Sequence, residues 1–78
     1  MRSIIKHPDH APFLAEIPTS LDTLQGIVGG YIDIVTGENY AVIFNEDLPS
    51  GSIIITGIKG EDLADVPESI ICQCGLRV

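Results

Sequence analysis

Short runs of alternating or continuous apolar residues fill most of this chain, and a helical rhythm interrupts them once. Ser3–Lys6 and Pro12–Ile17 read as two strands, joined by a "HPDHA" turn in which Pro8 and Asp9 supply the turn chemistry, so together they predict a hairpin. Pro18 ends the second strand, Thr19 or Ser20 offers a helix N-cap, and Asp22 falls near the positive end of the helix dipole. Leu21, Leu24, Ile27 and Val28 then form the apolar stripe of a helix about two turns long that lies on a sheet. Gly29 and Gly30 stop it, because a glycine takes the left-handed conformation past a helix end without a side-chain clash.

Tyr31–Thr36 alternates as a strand, with Ile32 and Ile34 on one face and Tyr31, Asp33 and Val35 on the other. "TGEN" is a tight reversal, Tyr40–Asn45 is the returning strand, and "SIIITGI" is apolar on both faces, as an interior or covered strand would be. The acidic stretch "KGEDLADVPES" reads as a connection with one helical turn around Glu61–Asp65, and Ile70–Cys74 as a closing strand. The expected fold is α+β in two layers: one short helix packed on a mostly antiparallel or mixed sheet of four to five strands, a β-grasp-like roll being one topology that fits the order. Residues 1–78 form a single domain, with no repeat, low-complexity tract or linker.

Composition agrees with a folded domain. Hydrophobic residues make up 45% of the 78 positions and charged residues 19%. A chain of this size buries only ~60% of its unfolded surface, so a dimer contact, a metal or a partner would add materially to its stability. Eleven acidic against four basic residues give a formal net charge of −7. With only Arg2, Lys6, Lys59 and Arg77 to neutralise phosphates, direct nucleic-acid binding is disfavoured, and a protein partner suits the acidic balance better. The longest apolar runs fall far short of a membrane span, and the N-terminus lacks a signal-peptide core, so a cytoplasmic location is expected.

The stretch "SLDTLQGIVGGYIDIV", followed by "YAVIFNED" and "GSIIITGI", resembles the bacterial and phage family known as domain of unknown function 3846. The positions that carry the resemblance are Leu21, Leu24, Gln25, Val28, Gly29, Gly30, Ile32, Asp33, Asn45 and Glu46. After Glu46 this chain departs from the longer glycine-, leucine- and proline-containing segment usual in the resembling proteins. The resemblance implies residence in phages, plasmids or other mobile elements and implies no known reaction.

Several residue sets could carry chemistry. Cys72 and Cys74, as alternate residues of a strand, would share a face and with His7 and His10 could hold zinc, although only one residue separates the cysteines where knuckle spacing leaves two. A disulfide across so short an extended dipeptide is strained, and a catalytic Cys–His pair lacks an evident oxyanion donor and cleft. Asp33, Glu46, Asp47, Glu61 and Asp62 are carboxylates among turn and surface residues, without the apolar burial that separates an acid from a base. Gln25 interrupts the helix next to the corner and bonds a loop group, faces water or makes a contact. The C-terminal "GLRV" lacks the diglycine tail of conjugating β-grasp proteins.

These readings favour a non-enzymatic, cofactor-free protein-binding module of a phage or mobile element that inhibits or adjusts a host or phage protein, such as a nuclease of a restriction or CRISPR system. The expected contact groups are Tyr31 and Tyr40, an exposed sheet edge, and the acidic residues Glu46, Asp47, Glu61, Asp62 and Asp65. A homodimeric accessory or assembly protein is the second reading. A small metal- or ligand-binding protein using His7, His10, Cys72 and Cys74 is the third.

Overall fold

The computed structural model describes residues 1–76, so Arg77 and the last residue of "GLRV" lie outside the described residues. Eight elements follow in the order β1 (Arg2–Lys6), β2 (Phe13–Glu16), α1 (Leu21–Val28), β3 (Ile32–Thr36), β4 (Tyr40–Asn45), β5 (Leu48–Lys59), β6 (Asp62–Ala64) and α2 (Glu68–Gln73). The strands form a sheet in the order β2-β1-β5-β4-β3, with β6 pairing β5, and each recorded pairing is antiparallel. The sheet is therefore the antiparallel one of the two expected kinds. It places β1 beside β5 as a β-grasp roll would, but running the opposite way to it.

β5 is the organising strand. Along one side it pairs with β4. Along the other it pairs first with β1, through Ile53–Ile55, and then with β6, through Gly57–Lys59. α1 over one face and α2 over the other account for its apolar residues on both faces. Ile54 packs with Ile5, Ile43, Leu24 and Val28 beneath α1, while Ile55 joins Ile4, Val66 and Ile71 beneath α2. The register shifts between Phe44 and Asn45, so that Phe44 faces Ile53 while Asn45 faces Leu48.

Local chemistry accounts for α1. The Ser20 hydroxyl accepts a hydrogen bond from the Thr23 backbone N–H, and Asp22 lies in the first turn. Leu24 and Val28 are buried against the sheet, and the helix closes on Gly29 at φ 85. Leu21, at the outer margin of the predicted stripe, is exposed.

The C-terminal third differs from expectation twice. The segment around Glu61–Asp65 is the strand β6, not a helical turn: Gly60, at φ 65, opens a two-residue hairpin with Glu61, and Lys59 pairs with Asp62 across it. Ile70–Cys74 is not a strand but most of helix α2 and its cap, because Val66, Ile70, Ile71 and Cys74 recur at helical spacing and pack on Ile4, Leu14 and Ile55. The signals for this helix were Glu68 in its first turn and Gly75, at φ 75, past its end. α2 adds a short cover on the face opposite α1.

Replacing Ile54 by Ala opens a cavity between α1 and the sheet and should lower stability by about 2–5 kcal/mol in chemical denaturation. Leu21→Ala, at an exposed position, should change it by less than about 0.5 kcal/mol.

Candidate functional site

The glycine corner that follows α1 is built around one buried side chain. Asn45, at the end of β4, donates from Nδ2 to the Val28 carbonyl at 3.3 Å and accepts the Asp47 backbone N–H on Oδ1 at 2.8 Å. Gly29 and Gly30 both give their N–H groups to the Gln25 carbonyl, at 2.8 and 3.1 Å, which closes the helix end. A Cβ at Gly30 would stand 2.9 Å from Asn45 Nδ2, so a side chain there would push the carboxamide off its bond to Val28. Glu46 N–H then donates to the Tyr31 carbonyl at 3.0 Å. Val28, Gly29, Gly30, Asn45 and Glu46 thus meet in one structural corner, and its product is the placement of Tyr31, Glu46 and Asp47 at one end of the sheet.

The family model described as Domain of unknown function (DUF3846) matches residues 1–50, a span that includes this corner. The chain belongs to this family. The DUF3846 match takes in β1, β2, α1, β3, β4 and the turn into β5, and it leaves most of β5, β6 and α2 outside. No curated protein and no solved structure matches the chain at a significant level.

The seven expected contact residues do not form one site. Tyr31, Glu46 and Asp47 cluster where β3 begins and β4 turns into β5, and Leu48 is exposed beside them. Tyr40, Glu61 and Asp62 lie toward the opposite end of the sheet, where Tyr40 faces Gly57 and the β5–β6 hairpin turns. The Tyr40 ring covers Gly37 in the β3–β4 turn, so it is half-buried and committed to that turn. Asp65 is likewise engaged: its Oδ1 accepts the Arg2 backbone N–H at 2.7 Å, while Val66 N–H donates to the Arg2 carbonyl at 2.8 Å, locking the segment after β6 onto β1. Glu61 and Asp62 line an open depression with Thr19 and Leu63.

The four candidate metal ligands are not brought together either. His7 Nδ1 lies 2.6 Å from Ser52 Oγ, and His10 Nδ1 donates to the Pro8 carbonyl at 2.9 Å. Cys72 is on α2 and Cys74 caps it, so residues two apart no longer share a face as they would on a strand. Among the described residues, no three His, Cys, Asp or Glu side chains converge as a metal would need.

What residue reasoning did not assign is which strand forms the exposed edge it expected: among the described residues it is β3 that leaves Ile and Val open. Ile34 and Val35 point to opposite faces, yet they are 41% and 56% exposed, and Tyr31 just before them is 70% exposed. The cause is position. β3 ends the sheet, and which strand does so depends on three-dimensional order. Hydrogen bonds at Tyr31–Glu46 and Gly37–Tyr40 bracket its ladder with β4. By the alternation of an antiparallel ladder, the backbone groups of Ile32, Ile34 and Thr36 therefore face outward. Of the other edge strands, β2 is shorter and flanked by Pro12 and Pro18, a common means of blunting an edge, and β6 is only three residues long. β3 has no lysine or proline.

Asn45→Ala would leave the Val28 carbonyl and the Asp47 N–H without their partner. It should cost about 2–4 kcal/mol in urea denaturation, and amide exchange at Tyr31, Glu46 and Asp47 should accelerate with it.

Proposed function

We propose that this chain is a non-catalytic protein-binding module of a phage or mobile element that acts on a host protein by contact, with a nuclease of a defence system as the first partner class to test. The observation that carries the binding reading is the β3 side of the sheet. Tyr31, Ile34, Val35 and Leu48 expose apolar surface along it, Ile34 and Val35 on opposite faces of the edge, with Glu46 and Asp47 at one end, and an exposed tyrosine is a common interface anchor. The segment from residue 31 to 48 contains no Lys or Arg, so this surface repels phosphate and favours a partner of opposite charge. The phage or mobile-element setting, and with it the host target, rests on the family resemblance alone.

The test is affinity purification from a bacterial lysate with tagged wild type and with Tyr31→Ala and Val35→Lys variants, both at exposed positions that leave the core intact. A stoichiometric partner retained by the wild type and lost from the variants, with weaker capture at higher salt, is the expected result. An eluate that is empty, or whose contents ignore both substitutions, would count against the reading.

A further inference from the structure

Asp33 occupies a particular place on the exposed edge. Its Oδ1 accepts the backbone N–H of Ile34 at 2.9 Å, and Ile34 is the central outward-facing residue of β3. Asp33 is exposed, so its carboxylate is a removable cap on the donor that an added strand would need most. Either side of this cap the apolar side chains stay open, Ile34 toward the α1 face and Val35 toward the other. The carboxylates of Glu38, Glu46 and Asp47 stand in the turns at the two ends of β3–β4.

We propose that β3 accepts an extended polypeptide segment as a further strand, and that the segment carries an apolar residue beside Ile34 and a Lys or Arg beside Asp33. A cation draws the Asp33 carboxylate away from the Ile34 N–H and pairs with it, which frees that N–H for the incoming backbone carbonyl. Main-chain hydrogen bonds then supply affinity, and alternate side chains supply selectivity. Charge decides between occupants. A second copy pairing β3 with β3 antiparallel about Ile34 would set Asp33 opposite Val35 with no cation in either segment, and would bring two chains of net charge −7 together along their acidic sides. A basic and apolar segment of another protein meets no such repulsion. This inference rests on the protein-binding reading above and specifies its mode.

The test uses isotope-labelled full chain titrated with two short synthetic peptides, one alternating Lys with Val and Thr, the other Glu with Val and Thr, followed by amide chemical shifts. The basic peptide should move Ile32, Ile34 and Thr36 and slow their amide exchange, and the acidic one should not. Asp33→Asn keeps an oxygen for the Ile34 N–H but removes the charge, and should weaken the basic peptide about two- to five-fold, the size of an exposed ion pair. Ile34→Pro removes the outward N–H without breaking the ladder to β4, and should abolish strand addition while the remaining spectrum stays native. Equal binding of both peptides, or unchanged binding by Ile34→Pro, overturns the proposal. Concentration-dependent shifts of β3 in the chain alone overturn it in favour of a second copy. If a lysate partner is captured through Tyr31 and Val35 and still binds Ile34→Pro, edge addition fails while the binding module stands. If neither a partner nor the basic peptide binds, both fail.

Discussion

The Asn45 carboxamide is the contact on which the usable part of this molecule depends. A helix end leaves carbonyls without partners, and a sheet corner leaves an N–H without one; here one buried side chain serves a group of each kind, Val28 C=O on one side and Asp47 N–H on the other. The arrangement demands a close approach of backbone at Gly30 and a left-handed residue at Gly29. Given those, the direction in which β3 leaves the helix is fixed, and so is the position of Tyr31 relative to Glu46 and Asp47. The diglycine therefore works as a corner whose consequence is a defined surface, with no need of a ligand on its bare backbone.

Local signals carried much of the fold. Ser20, the Leu21–Val28 stripe and Gly29 mark α1 independently of anything distant in the chain, and β1, β2, β3 and β4 stand within one residue of the pattern at every boundary. The C-terminal third was less legible for a physical reason. In Ile70–Cys74 the one polar residue is Gln73, a pattern that fits period two or period four almost equally over five positions, and only the packing of Ile71 on Ile4 decides for the helix. β6 was hidden because three residues exceed no propensity threshold by themselves; pairing to Gly57–Lys59 makes them a strand.

The candidate surface was legible in its residues and not in its grouping. Tyr31, Glu46 and Asp47 come together because β3 and β4 share a hairpin, a relation the sequence expresses. Tyr40 and Asp65 have the same side-chain types but are engaged by the fold itself, Tyr40 over Gly37 and the exposed Asp65 on the Arg2 N–H. Residue type alone cannot separate a carboxylate that faces a partner from one that ties down a neighbouring strand.

A domain this small carries a free edge at some risk, since unpaired backbone beside exposed Ile and Val is what drives edge-to-edge association. Natural sheets usually blunt such an edge with lysine, proline or a bulge, as the prolines around β2 do. β3 is instead held by acidic charge: one carboxylate on the central donor, others at the turns, and a net charge of −7 over the whole chain. Lysine on the edge would repel a basic partner and copies of the same chain alike. Acidic protection discriminates, because it opposes self-pairing while leaving the edge open to a segment of opposite charge. Under the edge-addition proposal the charge balance and the unblunted edge act together: the acidity opposes pairing of copies, and the same acidity favours a basic strand.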